Sequence, residues 1–332
     1  DLSGYTSFNR INVVRSRISS IQVSWLGYCN SLGLKNIDYI IADQNVILEN
    51  EKKEYLEKII YMPDIWNSLS IPDNLPQIKN ENTDFVLGSF NNFNKISNST
   101  IKVWSKILNS SNSKLILKTS SADDFEFSKK IMLDKFSKYN VNLDQIDILK
   151  KIENFYDHLE LYNKIDLALD TFPYPGVTTT FEAVMMGVPV LTMKGFNFNS
   201  RCGESIFKNL ALSELIAEDE NDYYKKAINL MNKSNLNKVS GLKLREKAIS
   251  SPLFDTVAFA KNFAGEPLLL RHVGASSSSE GGRSSDRPKH RIFGILPHRK
   301  NPHTHIIFSH ELRKDSLHAH LQPCLLLKSL FS

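Results

Sequence analysis

The segment LDTFPYPGVTTTFEAVMMGVPVL, from Leu169 to Leu191, carries the pattern of a strand, a loop, a helix and a second strand. Asp166–Asp170 has the apolar pattern of a buried strand, and two prolines with a glycine predict a turn over Thr171–Gly176. A helix is then predicted over Thr179–Met186 and a strand over Pro189–Thr192. This order of elements predicts a parallel βαβ unit.

The same alternation continues on both sides of this segment. Further strands are predicted at Ile21–Trp25, Tyr39–Ala42, Lys58–Tyr61, Phe85–Phe90 and Lys114–Lys118, and further helices at Ser99–Leu108, Phe125–Tyr139, Phe155–Lys164, Ser205–Asn209 and Asn221–Met231. Strands separated by helices of this length predict a doubly wound α/β architecture. The interval Pro63–Asn82, with three prolines, is typical of a linker between two such units, of which we expect the first to be only partly present.

Composition narrows the class of protein. With 41% hydrophobic and 23% charged residues, the chain of 332 residues has the balance of a soluble globular protein. No apolar run approaches the roughly 18 residues that cross a bilayer, and no basic-then-apolar leader opens the chain, so we expect Asp1 to be a cut end. Three cysteines are too few for a disulfide framework, which favours a reducing cytoplasm.

Charge argues against a nucleic-acid partner. Residues 1–265 carry 31 basic and 31 acidic side chains, so the net charge of +5 comes entirely from residues 266–332. Nucleic-acid binding needs a basic stripe, and the first 265 residues show none.

Residue usage changes abruptly near Gly265. Asparagine falls from 29 residues before this point to one after it, whereas eight of the nine histidines follow it. Ser276–Pro288 is too poor in apolar residues to build a core, which predicts a disordered or foreign tail. A metal site at His298, His303 and His305 is conceivable but has no regularly spaced cysteine or carboxylate partner, so we expect none.

Three threonines open the helix that follows the turn. Thr178, Thr179 and Thr180 would lie beyond the carboxyl end of a strand, where ligands sit in open α/β sheets. A helix start there offers free N–H groups and the positive end of the helix dipole to a phosphate. Glu182, one turn further on, is placed to accept from a ribose hydroxyl. The alternative is ordinary capping by Thr178 or Thr179 without a ligand.

A second polar loop, Gly88–Ile96, also follows a predicted strand. Lys95 is its one cation and would offset charge on a departing diphosphate. The amides of Asn91 and Asn92 suit phosphate or ribose oxygens. The alternative is that the asparagines only form a turn and that Lys95 is a solvated charge.

His158 and Arg201 complete the candidates. His158 is the only histidine before residue 265, and it lies shortly before the strand that leads to the threonine loop. Arg201 follows a predicted strand and could face a phosphate or form a surface ion pair. With one histidine in this region, no Ser-His-Asp arrangement is indicated.

Six segments carry a resemblance to a known family. In chain order they are DLSGYTSFNR, IQVSWLGYCNSLGLKNIDYIIAD, GSFNNFNKI, HLELYNKIDLALDTFPYPGVTTTFEAVMMGVPVLTMKG, SRCGES and SSPLFDT. They resemble the catalytic region of the O-linked N-acetylglucosamine transferase and SPINDLY family, most nearly its bacterial SPINDLY-type members, from Asp1 to about Phe263.

The resemblance implies a GT-B type fold, two Rossmann-like lobes with the N-terminal lobe truncated. It places a remnant of that lobe and a linker at residues 1–75 and the nucleotide-sugar-binding lobe at 76–264, and leaves 265–332 as a tail. The family transfers sugar with inversion and without a metal, so no cofactor is expected. The implied partners are a nucleotide-sugar donor and a protein acceptor, with no membrane.

The resemblance also implies roles for single residues. Lys95 corresponds to the lysine that stabilises the leaving diphosphate, and Asn92 stands where animal enzymes have a glutamine beside the phosphates. Thr178 and Thr179 match the pair that holds the diphosphate. Glu182 takes the place of an aspartate that contacts the ribose. His158 matches a histidine near the base.

At two positions the sequence departs from the pattern of the animal enzymes, which leaves the identity of the donor nucleotide open. Val177 replaces a histidine of the animal enzymes, and Phe155 replaces a lysine that contacts the nucleotide. UDP-N-acetylglucosamine is therefore the expected donor, with GDP-fucose, used by some plant SPINDLY proteins, as the alternative.

The expected function is transfer of a sugar to Ser/Thr hydroxyls of proteins. The family's catalytic histidines and tetratricopeptide repeats would lie upstream of Asp1, so a nucleotide-binding fragment without catalysis is the second hypothesis. A nucleotide-sugar epimerase is a third, and the single histidine gives it little support.

Overall fold

The computed structural model describes residues 1–6, 9–79, 84–119, 124–232 and 238–265. The tail predicted over 265–332 and its histidines, His298, His303 and His305, lie outside the described residues except for Gly265. The chain divides into two compact units, Asp1–Asp255 and a second that begins at Thr256. Within the described ranges, no helix is both long enough and apolar enough to span a bilayer.

A small parallel sheet opens the first unit. Its strands are β1 (Val23–Ser24), β2 (Tyr39–Ala42) and β3 (Lys58–Tyr61), in the order β1-β2-β3. The strands predicted at Tyr39–Ala42 and Lys58–Tyr61 are confirmed, whereas the first strand is shorter than predicted. β2 is the central strand, and its residues Ile40, Ile41 and Ala42 are buried, so the strand is covered on both faces.

A parallel sheet of six strands follows. The strands are β4 (Val86–Ser89), β5 (Lys114–Lys118), β6 (Ile146–Leu149), β7 (Leu167–Leu169), β8 (Val190–Met193) and β9 (Ile216–Ala217). Their order is β6-β5-β4-β7-β8-β9, the doubly wound order of dinucleotide-binding folds. Because the chain turns outward in opposite directions after β4 and β7, a crevice opens between the carboxyl ends of these two strands.

Nine helices are formed by the described residues. They are α1 (Ile11–Val14), α2 (Asn98–Asn109), α3 (Phe125–Ser137), α4 (Phe155–Glu160), α5 (Thr178–Met185), α6 (Phe198–Asn209), α7 (Glu220–Asn232), α8 (Lys238–Ile249) and α9 (Thr256–Gly265). The prediction for α6 was wrong by more than one turn, because Asn197 and Ser200 form a capping box that starts the helix ahead of the predicted Ser205.

Apolar side chains fill both faces of the larger sheet. Leu115 and Leu117 of β5 pack with α2, α3 and α7 on one face. Ile116 packs into the layer on the other face, together with residues of α4, α5 and α6. Since side chains alternate along a strand, Lys118 follows Ile116 on that second face. This alternation places a charged side chain at the end of an otherwise apolar column.

Candidate functional site

Two loops meet at the crevice between β4 and β7. The first follows β4 and contains Asn91; the second follows β7 and begins at Asp170. The Asn91 side-chain amide donates to the Asp170 carboxylate at 2.9 Å, and the Thr179 hydroxyl donates to the Asn91 oxygen at 2.7 Å. Asn91 therefore joins both loops to the start of α5. Its two polar atoms act within the protein, so a direct contact of Asn91 with a ligand stays a prediction.

Asp170 is the centre of this network. It is 1% exposed and accepts from the backbone N–H groups of Thr171 and Gly176 and from the Thr192 hydroxyl, at 2.9, 2.7 and 2.8 Å. Burial raises the pKa of Asp170, and these hydrogen bonds together with the charge of Lys95 oppose the shift. The sequence analysis did not propose a role for Asp170. The feature that could have indicated one is its carboxylate at the end of a buried strand, directly before a loop.

The start of α5 carries no side-chain cap. Val177 occupies the N-cap position and has no hydroxyl or carboxylate to offer, and the Thr179 hydroxyl is directed to Asn91 instead. Thr180 and Phe181 donate their N–H groups to the Val177 carbonyl. The N–H groups of Thr178 and Thr179 have no hydrogen-bond acceptor among the described residues. The capping alternative is therefore not what the structure shows, and two N–H groups remain for an anion.

Lys95 lies over the second loop. Its ammonium donates to the Pro175 carbonyl at 2.8 Å and lies 4.0 Å from the centre of the Tyr174 ring. Burial lowers the pKa of Lys95, and the carboxylate of Asp170 opposes that shift. An anion bound beside this partly desolvated ammonium would favour its charged form. The solvated-charge alternative for Lys95 is wrong.

Asn92 lies in the first loop, directly after Asn91, and is exposed. Its side-chain oxygen accepts from the backbone N–H of Asn94 at 2.9 Å, so it caps the short 3-10 turn Phe93–Lys95. The side-chain oxygen of Asn92 therefore serves to form the turn, as the alternative interpretation expected. A contact of its side-chain NH2 group with a nucleotide sugar stays a prediction.

A buried polar group lies one turn into α5. His158 Nε2 is 3.0 Å from Glu182 Oε2, and the Tyr162 hydroxyl is 3.2 Å from the same oxygen. The Tyr162 hydroxyl also lies 3.1 Å from the Thr179 carbonyl, and the Tyr162 ring packs on Phe90. His158 Nδ1 is buried with no partner in the described part of the chain. The predicted residues His158, Thr179 and Glu182 are thus brought together.

Gly176 lies where the second loop closely approaches Asn91 and the start of α5. A Cβ placed on Gly176 would lie 2.4 Å from the Thr179 hydroxyl, 2.8 Å from the Asn91 oxygen and 2.9 Å from the Thr180 hydroxyl. These contacts are far shorter than van der Waals separation, so an added Cβ would displace the hydrogen-bonded oxygens of Asn91 and Thr179 or shift the loop.

Replacing Gly176 with alanine is expected to weaken binding of a nucleoside diphosphate by about 10-fold or more, because a displacement of about 1 Å disrupts a positioned donor set. Isothermal titration calorimetry measures the change. Gly265→Ala is the matched control, since no atom lies within 4 Å of an added Cβ there. Equal affinities for both variants would contradict the prediction.

Arg201 is not free to face a phosphate. Its guanidinium binds both carboxylate oxygens of Glu51, at 2.6 and 2.7 Å, and also donates to the carbonyls of Gly195 and Val46. Four of its five N–H groups are thereby used. The pair of Arg201 and Glu51 is largely buried. Arg201 therefore forms neither the phosphate contact nor the surface ion pair that the sequence suggested. Arg201 joins α6 to the segment that follows β2.

Breaking this pair is expected to destabilise the protein. Glu51→Gln removes the charge that the buried guanidinium faces, and the expected loss is about 2 kcal/mol of unfolding free energy. Urea denaturation measures it. Glu218→Gln is the control, because the Lys194–Glu218 pair is exposed and should contribute about 0.5 kcal/mol or less. A loss at Glu51 no larger than that of the control would show that the pair contributes little.

A model of glycosyl transferase family 41 matches residues 1–73 and 75–263 of the chain. The probable UDP-N-acetylglucosamine–peptide N-acetylglucosaminyltransferase SPINDLY of Solanum lycopersicum is 34% identical over 269 residues, which are 79% of this chain and 29% of that protein. The protein of the same name from Arabidopsis thaliana is 31% identical over 267 residues, 78% of this chain and 29% of the relative. The chain thus spans less than a third of the length of these relatives.

Solved structures show the same fold. A mutant O-GlcNAc transferase of Thermobaculum terrenum superposes with a TM-score of 0.66 and 25% identity, over 78% of this chain and 48% of that one. HepE of Anabaena in complex with UDP-glucose superposes with a TM-score of 0.51 and 14% identity, over 77% of this chain and 72% of that one. The second likeness concerns the fold alone. The predicted GT-B type α/β fold is confirmed.

Proposed function

This chain belongs to glycosyl transferase family 41, and we propose that it binds a nucleotide-sugar donor and takes part in sugar transfer to Ser/Thr hydroxyls of proteins. The proposed sugar is N-acetylglucosamine and the proposed donor is UDP-N-acetylglucosamine, as the names of the relatives from Solanum lycopersicum and Thermobaculum terrenum suggest. GDP-fucose is the alternative donor.

The uncapped start of α5 beside Lys95 carries this proposal. The two free N–H groups of Thr178 and Thr179 would receive the diphosphate, and the Lys95 ammonium would lie on its other side. The N–H groups and the Lys95 ammonium are preorganised by contacts within the protein, so they lose little freedom when the ligand binds.

The proposed chemistry is a displacement at the anomeric carbon. The acceptor hydroxyl oxygen forms the new bond, the bond from that carbon to the diphosphate oxygen breaks, and the hydroxyl proton leaves to a base. Negative charge then grows on the diphosphate, where Lys95 and the start of α5 stabilise it. In this proposal these groups take the part of a metal ion, and no cofactor is required.

Binding and transfer are tested separately, because the chain spans only 29% of its relatives' length. Calorimetry with UDP and with GDP tests binding, and a peptide array with each nucleotide sugar tests transfer. The proposal expects binding of one diphosphate that Gly176→Ala weakens. Binding without transfer would support the fragment hypothesis, and failure of both diphosphates to bind would refute the donor site.

We also propose a cytoplasmic location. The two cysteines that the structure describes, Cys29 and Cys202, are buried thiols that form no disulfide. Burial raises the pKa of the Cys202 thiol well above its usual range, and contact with Cys29 adds to the shift. Free neighbouring thiols are typical of proteins from a reducing compartment.

A further inference from the structure

Lys118 ends β5 on the same edge of the sheet as the two ligand loops. Since Ser89 pairs with Leu117, Lys118 lies level with the residue that follows β4. Its side chain follows Ile116 on the face that also carries α4 and α5. Lys118 therefore lies on the side of the crevice that holds the polar group of His158, Tyr162 and Glu182.

The Lys118 side chain is largely buried and has no partner among the residues that the structure describes. It is 8% exposed, and among the described residues no hydrogen bond or ion pair reaches its ammonium. Burial lowers the pKa of Lys118, and Glu182 is the carboxylate that opposes the shift. The ammonium itself is not among the described polar atoms that are both buried and unpaired, so it keeps some contact with solvent and a ligand can reach it. A lysine whose pKa is lowered by burial while its donors stay available is typical of a binding site.

The two lysines of the crevice lie in different surroundings. Lys95 contacts the loop that follows β7 through the Pro175 carbonyl, whereas Lys118 ends β5 on the face of the sheet that carries α4 and α5. In keeping with these positions, Asp170 opposes the lowering of the Lys95 pKa and Glu182 opposes that of Lys118. Glu182 is four residues after Thr178, about 6 Å further along the helix. A nucleotide whose diphosphate lies at the start of α5 would therefore place its ribose near Glu182 and its base toward Lys118.

We propose that Lys118 recognises the nucleobase of the donor by donating from its ammonium to a ring carbonyl oxygen, so that the site selects keto bases. This inference rests on the proposed function. An ammonium has three donors and no acceptor. It suits O4 of uracil or O6 of guanine, and it opposes the amino groups that cytosine and adenine carry at these positions. His158 lies in the same layer, and its Nδ1, which no described residue pairs, is a second polar atom available to the base.

Calorimetry of the 332-residue chain with UDP, GDP, CDP and ADP tests the proposal. Wild type is expected to bind UDP or GDP at least about 10-fold more tightly than the amino-base counterpart of the same ring size, CDP or ADP, since a ligand that leaves a buried polar group unpaired is strongly disfavoured. Lys118→Met, which keeps the length of the side chain, is expected to reduce this ratio to within about two-fold by weakening only the keto nucleotide. Lys114→Met, at the exposed other end of the same strand, should leave the ratio unchanged.

Four results would overturn the proposal. A ratio that Lys118→Met does not change would show that the ammonium does not contact the base. If Lys118→Met weakened the binding of all four nucleotides equally, Lys118 would act only as a counter-charge of Glu182. An absence of base preference in wild type would refute selection of keto bases while leaving the donor site intact. If none of the four binds wild type, the proposed function fails as well.

The stability of the free protein provides a second readout. Because Lys118→Met replaces a largely buried lysine, which no described residue pairs, with an apolar side chain of similar length, its melting temperature is expected to equal or exceed that of wild type. Weaker keto-nucleotide binding in a variant of undiminished stability separates ligand contact from misfolding. A lowered melting temperature together with an unchanged base ratio would identify Lys118 as a structural residue.

Discussion

Lys95→Ala is expected to lower sugar transfer about 100-fold, the effect of removing one preorganised donor that stabilises developing charge. The reason lies in its position: the ammonium is fixed by the Pro175 carbonyl and the Tyr174 ring at the start of α5. The loss should appear mainly in kcat, because charge on the diphosphate grows in the transition state. Steady-state kinetics with UDP-N-acetylglucosamine measure it, and calorimetry with UDP reports the binding part.

Lys102→Ala is the matched control for Lys95→Ala, because Lys102 lies exposed on α2. Its kinetics should equal those of wild type. An unchanged rate for Lys95→Ala would remove this lysine from the mechanism. A large fall in melting temperature would instead show that Lys95 acts chiefly by holding the loop over Asp170.

Asp170→Ala is expected to reduce the free energy of unfolding by about 4 kcal/mol, since each buried donor left without an acceptor costs about 1–3 kcal/mol. The Asn91 amide, the Gly176 N–H and the Thr192 hydroxyl would all lose the same carboxylate. Because these donors hold both ligand loops, nucleotide binding should fall with the stability. Urea denaturation and calorimetry together measure the two effects.

Asp170→Asn separates the charge from the hydrogen bonds. An asparagine retains one accepting oxygen, so we expect about half of the loss seen for alanine. Asp134→Ala, at an exposed position of α3, should change stability by about 0.5 kcal/mol or less. Equal stabilities of Asp170→Ala and this control would show that the network around Asp170 is not required by the fold.

The strands of the larger sheet differ in how well the sequence predicts them. β5 and β7 are runs of apolar residues with clear limits, and both were predicted close to their observed positions. β6 and β9 were missed. β9 has only two residues, and β6 carries Asp147 between isoleucines, so neither gives the continuous apolar run of a buried strand.

In the candidate site, too, some features were predicted from the sequence and others were not. The loops with Asn91, Lys95 and Thr178–Thr180 were predicted, because polar residues after parallel strands gather at one edge of the sheet whatever the details of packing. Their approach to one another is seen in the Asn91–Thr179 hydrogen bond. Arg201 was misplaced, because its partner Glu51 is 150 residues away and no local pattern relates the two.

For this protein, periodicity and turn chemistry determined the elements and the edge of the sheet where a ligand would bind, since both depend on neighbours in sequence. The tertiary structure decided which polar groups are available there. It occupied Arg201 with Glu51 and placed Asp170 beneath the loops. Among the described residues, it left the N–H groups of Thr178 and Thr179 and the ammonium of Lys118 without hydrogen-bond partners. Burial and long-range pairing fix these outcomes, and both arise only once distant segments pack together.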